Sequence, residues 1–210
     1  MKVSVSILKT PYSDAEAIKK INETDAEYLH VDVLDGHFIP GVKREYEDLY
    51  VSKKMLDVHL MVSKPFAFIS KYALKNTKCI TLSAEIDDDL DEYLDYIKSL
   101  NIECGLAIKP STRPEEIEKY LEKLDKVTVL TVEPGASFQS MIMSSLYRID
   151  TLVNLRKKNG YKYEIWVDGG VNGENISKLS KVDGVVSGGF VVSGEDFQER
   201  IDKLRLLKKA

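Results

Sequence analysis

Along this chain, short apolar or alternating runs are each followed by a stretch with helical spacing. Residues 2–8 (Lys-Val-Ser-Val-Ser-Ile-Leu) alternate polar and apolar positions and are rich in β-branched side chains, which predicts a strand. Ala15, Ala17, Ile18 and Ile21 then recur at helical spacing over 14–23, with Ser13 placed to cap the helix. The pair of patterns repeats to the end of the chain. Strands are predicted over 28–34, 55–62, 79–84, 102–108, 127–132, 163–167 and 184–187. Helices are predicted over 42–51 (short and weakly patterned), 65–74, 88–100, 114–124, 143–159, 174–181 and 196–208. Local chemistry marks several ends. Pro65 suits a first helical position, acidic residues open 88–100 where they complement the helix dipole, and Gly160 closes the long helix before it.

Strict alternation of eight strands with eight helices implies parallel strands joined by right-handed crossovers. Eight such units in 210 residues suit an α/β fold of the closed (β/α)8 TIM-barrel type, at the low end of its size range. An open doubly wound sheet is the alternative, but no Gly-x-Gly-x-x-Gly turn follows the first strand. No Pro/Ser/Gly-rich linker, charge block or low-complexity run interrupts the pattern, so residues 1–210 are expected to form a single (β/α)8 barrel domain.

Composition narrows the function classes. Hydrophobic residues make up 43% and charged residues 30%, an ordinary globular balance. The net charge is −4 with both signs interspersed, so there is no basic stripe to neutralise a nucleic-acid backbone. No run approaches the ~18 apolar residues of a membrane span. The Lys-rich tail 203–209 reads as the wet face of a last helix, because Ile201, Leu204 and Leu207 recur at helical spacing. The N-terminus alternates and lacks the apolar region of a signal peptide. Cys79 and Cys104 fall inside apparent buried strands and are expected to be reduced core thiols of a cytoplasmic protein.

The chemistry gathers where the strands end. Residues 27–40 hold two of the three histidines, and His30, Asp32 and Leu34 alternate, so they share one face of a strand. In a barrel all C-terminal strand ends meet on one face, where active sites lie. To that face the other strands bring Ser4 and Ser6, His59 and Met61, Ser83 and Glu85, Lys109, Glu133 with Pro134-Gly135, Asp168 with Gly169-Gly170, and Gly188-Gly189. Singly, a strand histidine is more often a hydrogen-bonded core residue, and an Asp before Gly-Gly a turn residue. Together, two imidazoles and two carboxylates aimed into one barrel mouth are costly without a shared partner, and they form a donor set for Zn²⁺ or Fe²⁺. Gly-Gly pairs after the last two strands fit either tight turns or backbone amides that hold a phosphate. His37 lies past the strand and is read as a structural loop residue.

Ser4-Val-Ser-Ile-Leu8, His30-Val-Asp-Val-Leu-Asp-Gly-His-Phe-Ile-Pro40, Asp57-Val-His-Leu-Met-Val62, Gly105-Leu-Ala-Ile-Lys-Pro110, Thr131-Val-Glu-Pro-Gly135, Val167-Asp-Gly-Gly-Val171 and Val186-Ser-Gly188 resemble the ribulose-phosphate 3-epimerase family. The matching segments run from the first strand to the eighth. The resemblance implies metal ligands at His30, Asp32, His59 and Asp168, and an acid/base pair in Asp32 and Asp168. It implies substrate-binding positions at Ser6, His59, Met61, Gly135, Gly169, Gly170, Gly188 and Gly189. The implied reaction is epimerisation at C3 of a ketose phosphate, D-ribulose 5-phosphate to D-xylulose 5-phosphate first, through a metal-stabilised enediolate. It calls for a divalent metal (Zn or Fe(II) ahead of Mn or Co), no organic cofactor, a small sugar phosphate as partner, and a homo-oligomer.

The chain departs from the family pattern in five places. Leu34 stands where the family usually has methionine. The loop Gly135-Ala-Ser-Phe-Gln139 replaces a glycine-rich phosphate loop. Gly188-Gly189 replaces Gly-Ser, Ser83 replaces a histidine, and the loop after Pro40 is short. These changes keep a hexulose-6-phosphate 3-epimerase (allulose 6-phosphate type) and a non-catalytic sugar-phosphate-binding barrel as alternatives.

Overall fold

The computed structural model describes residues 1–135 and 139–208. Its nine strands are β1 (Lys2–Ser6), β2 (Tyr28–Asp35), β3 (Lys43–Arg44), β4 (Met55–Met61), β5 (Thr77–Ser83), β6 (Glu103–Ile108), β7 (Lys126–Leu130), β8 (Glu164–Asp168) and β9 (Gly184–Ser187). Eight of them close into a parallel barrel, because β1 pairs with both β2 and β9. The short β3 lies outside the ring and pairs antiparallel with the end of β2, Leu34 opposite Arg44. The α-helices are α1 (Asp14–Asn22), α2 (Pro65–Tyr72), α3 (Leu90–Ser99), α4 (Tyr147–Asn159), α5 (Gly189–Val192) and α6 (Phe197–Lys208).

All eight barrel strands lie within a few residues of their predicted positions. Both faces of each are covered, and such runs read as apolar in sequence. The helices needed more correction. Only Asp48–Val51, Pro114–Tyr120 and Ile176–Leu179 are helical within 42–51, 114–124 and 174–181, and all three are 3-10 segments. The 3-10 form is the tighter helix, found in short connecting pieces. The helix predicted from 143 starts as a 3-10 turn, Met143–Leu146, before α4. The sequence pattern missed α5 because its Gly-Phe-Val-Val reads as strand.

The apolar core lies mainly between the barrel and its helices. From α1 it takes Ala17, Ile18 and Ile21, whose isoleucines each contribute roughly 1.5–3 kcal/mol by burial. Ser13 caps that helix by accepting from the Glu16 amide, while the Glu16 carboxylate accepts from the Ser13 amide. Cys79 and Cys104 are buried and free. Among the described residues no helix is long and apolar enough to cross a membrane.

The barrel interior is more polar. Ser4, Ser6, His30, Asp32, Asp57, His59, Thr81, Lys126 and Thr128 are all buried. Two strand glycines make room there. A Cβ on Gly184 would sit 2.5 Å from the Trp166 ring, and one on Gly105 would sit 2.8 Å from Thr81 Oγ1 and 3.2 Å from Lys126 Cβ.

Candidate active site

Strand register assembles the site. Between β2 and β4, Asp32 stands opposite His59 and His30 opposite Asp57. On the other side of β2, Ser6 of β1 stands opposite His30. Asp168 ends β8 on the far side of the seam formed by β9 and β1. The Ser6 hydroxyl donates to Asp32 Oδ2 at 2.7 Å. His30 Nε2 lies 3.2 Å from Asp32 Oδ1 and 3.8 Å from Asp168 Oδ2, and its Nδ1 lies 2.9 Å from Asp57 Oδ2. His59 is buried and, among the described residues, makes no hydrogen bond at either ring nitrogen; its Nδ1 is 3.5 Å from Asp32 Oδ1.

An unpartnered buried imidazole is unfavourable unless another group meets it. One donor atom each from His30, Asp32, His59 and Asp168 lie within 4.8 Å of one another, so the four could share one metal ion. That ion would meet the orphaned nitrogen of His59, and two imidazoles with two carboxylates are a donor set for first-row divalent metals.

The same closeness sets the charges. Burial opposes a charged His30, but Asp32 and Asp57 beside it raise its pKa to about 10. Burial also opposes ionisation of Asp32, yet the His30 and His59 rings hold its carboxyl well below the usual range. Asp168 goes the other way: burial, then the charge of Asp32, push it up to about 6. Two carboxyls in one site therefore differ in their hold on a proton.

Above this cluster opens a cavity of roughly 390 Å³. All eight positions expected to bind substrate (Ser6, His59, Met61, Gly135, Gly169, Gly170, Gly188 and Gly189) line it, together with Asp32 and Asp168. His30 does not line it and lies beneath. Leu34 is fully buried and does not reach the cavity wall. Ser137 and Phe138 of the altered loop lie outside the described residues. Gly169 and Gly170 do need left-handed backbone, with φ of 115° and 67°. Gly188 and Gly189 do not; they begin α5, so their value is open space and first-turn amides. His37 is exposed, its amide donating to Asp35 Oδ1 as a loop residue.

Sequence reasoning missed several wall residues, among them Leu8, Asn172, Phe190 and Ser193. It also missed Asn175, whose side-chain amide donates to the Gly170 carbonyl at 2.8 Å and pins that loop. Apart from Leu8, which falls within the strand predicted over 2–8, these residues follow the strand ends by several positions, where strand periodicity carries no information.

Known proteins place the chain. The model of the Ribulose-phosphate 3 epimerase family matches residues 2–192. A curated Ribulose-phosphate 3-epimerase of Helicobacter pylori is 32% identical, with 100% of this chain and 99% of the relative covered. One from Aquifex aeolicus is 31% identical over 91% of this chain and 89% of its own. Among solved structures, KGPDC from Streptococcus mutans superposes with a TM-score of 0.72 at 9% identity, covering 99% of this chain and 97% of that one. Tryptophan synthase of Mycobacterium tuberculosis gives 0.64 at 18% identity, covering 98% and 89%. At such identities those two speak for the barrel alone.

Proposed function

The chain belongs to the ribulose-phosphate 3-epimerase family, and on that premise we propose that it epimerises C3 of a ketose phosphate, with D-ribulose 5-phosphate as substrate. The observation that carries this reading is the His30, Asp32, His59 and Asp168 cluster at the floor of a cavity with carboxyls from β2 and β8. Epimerisation removes a proton α to a ketone on one face and returns one on the other, so it needs two proton-carrying groups of opposite state. Asp32, kept ionised beside His30, can accept the C3 proton at a carboxylate oxygen. Asp168, which burial and the Asp32 charge bias toward its protonated form in the metal-free site, can hold the proton that is delivered to the other face. In the reverse direction the two exchange roles. Ser6 holds Asp32 by donating to Oδ2, leaving the other oxygen toward His30 and His59.

A divalent metal held by His30, Asp32, His59 and Asp168 would supply positive charge to stabilise the oxyanion that develops as C3 is deprotonated. The Gly169-Gly170 turn and the first turn of α5 would take the phosphate through backbone amides. That places the charged end of the substrate away from the reacting carbon, as a handle that orients it.

The test is an epimerase assay on pentulose and hexulose phosphates with Zn²⁺, Fe²⁺, Co²⁺ or Mn²⁺ supplied. Conversion of D-ribulose 5-phosphate, with solvent deuterium entering at C3, is expected. A larger kcat/KM for a hexulose 6-phosphate would move the substrate to that class. No turnover and no bound metal would refute the enzyme reading in favour of a binding barrel. Asp32→Asn should abolish turnover; substantial residual activity would sink the two-carboxylate mechanism.

A further inference from the structure

A line of buried polar groups leads away from the site inside the barrel, and the proposed reaction does not use it. His30 Nδ1 lies 2.9 Å from Asp57 Oδ2, and Lys126 Nζ donates to the other oxygen, Oδ1, at 2.6 Å. The Lys126 ammonium also stands 4.3 Å from the centre of the Trp166 ring. The side chains of Asp57 and Lys126 are 2% and 6% exposed, so this is a charged pair within the barrel and not a surface contact. It comes from three strands: β2 gives His30, β4 gives Asp57 and β7 gives Lys126. Gly105 of β6 lets Lys126 approach closely: a Cβ there would stand 3.0 Å from the Lys126 carbonyl oxygen and 3.2 Å from its Cβ.

Such a pair is a weak source of stability, because desolvating two charges offsets most of their attraction. Apolar residues of similar size would serve a core as well. Its geometry toward His30 suggests another use. An imidazole offers a lone pair at only one nitrogen at a time, and the hydrogen bond at the other nitrogen fixes which. Asp57 can only accept. With Nδ1–H directed at Asp57, the lone pair is left at Nε2, the nitrogen that faces Asp32 and Asp168. Lys126 neutralises Asp57, so His30 gains a fixed acceptor without a third uncompensated carboxylate being added under a site that already contains two.

We propose that Asp57 and Lys126 are positioning residues that lock His30 in the Nδ1–H form and present its Nε2 to the metal. This rests on the reading of His30 as a ligand. The sequence placed Asp57 in a matching segment but gave it no role, and Lys126 belonged to no motif.

Two double variants test it. Asp57→Val/Lys126→Met removes the pair and fills its volume. Asp57→Asn/Lys126→Met also removes the charges but keeps a carbonyl acceptor for His30. Zn²⁺ affinity is read by competition with a chromophoric chelator, and folding of the metal-free proteins by thermal denaturation. Loss of an outer partner of a ligating histidine typically lowers affinity 10–100-fold. A loss of that size is expected for the Val/Met protein, with most of it regained in the Asn/Met protein. Wild-type affinity in the Val/Met protein, or no recovery in the Asn/Met protein, would overturn the proposal. Should the Val/Met protein not fold, ¹⁵N-histidine spectra of the Zn²⁺-loaded wild type decide alone. A protonated Nδ1 on His30 is expected, and a protonated Nε2 overturns the lock. His30→Ala in the same competition separates the two ideas. Unchanged affinity there refutes His30 as a ligand, whereas lost affinity with an unmoved Val/Met protein refutes only the positioning role.

Discussion

Asp168→Asn should make the metal-free protein more stable and, on the proposed mechanism, inactive. The Asp168 side chain is only 20% exposed. Burial and the neighbouring Asp32 raise its pKa from 3.8 to about 6. A raised folded-state value means that the fold holds this proton more tightly than the unfolded chain does. The stability tied to that proton is present in full below about 3.8 and is lost as pH rises through about 6. By pH 8 the ionised carboxyl opposes folding by about 3 kcal/mol. Asparagine has the same shape and no charge at any pH, so it escapes that penalty. Urea denaturation with a chelator present should give the variant an advantage of about 2–3 kcal/mol at pH 8, or roughly a 1 M rise in midpoint. The advantage should shrink below pH 6 and be small at pH 4. A variant less stable than wild type at pH 8, or a gain that does not change with pH, would refute the reasoning.

Other perturbations probe neighbouring parts of the argument. Metal binding should release protons, with His30 a source at pH 8 and Asp168 a further one as pH falls below about 6, so the release should grow as pH falls. Calorimetry in buffers of different ionisation enthalpy counts them, and a release that falls as pH falls would contradict both assignments. Ser6→Ala removes the donor to Asp32 Oδ2 and should lower kcat/KM about 10–100-fold, as expected for a hydrogen bond to a charged group. Steady-state kinetics at saturating metal would show it, and an unchanged value would remove Ser6 from the site. Gly184→Ala places a methyl 2.5 Å from the buried Trp166 ring and should cost about 1–3 kcal/mol by overpacking. Thermal denaturation reads this, and an unchanged transition would mean that the ring yields freely.

Much of the barrel was legible because its strands appear as short apolar or alternating runs of the right length. The cluster was legible for a related reason. His30 and Asp32 alternate on one strand, so pleating alone aims them together, and strand order brings His59 and Asp168 to the same end. Short helical connections were less readable, since a four-residue segment such as Ile176–Leu179 carries too little periodicity to separate a 3-10 turn from an α-helix. Lys126 was hidden differently. It opens β7 after an aspartate and reads as a strand edge, and its inward direction shows only in the structure, where its ammonium meets the Asp57 carboxylate. The Gly188-Gly189 pair fitted either a tight turn or amides that hold a phosphate, because glycine supplies both conformational freedom and bare space, and a sequence cannot say which is being used.

The closure of the barrel has one more consequence. β1 is wedged between β9 and β2, so the seam joins the beginning of the chain to its end. His30 and Asp32 stand on one side of that seam and Asp168 on the other. An ion shared by them would act as a clasp across it, linking parts of the polypeptide that are made far apart in time. The N-terminal half contains His30, Asp32 and His59 but lacks the opposing carboxylate, so a nascent chain cannot close the clasp until β8 has emerged. Were binding confined to the closed ring, each tenfold excess of ion over its dissociation constant would hold the seam shut by a further ~1.4 kcal/mol.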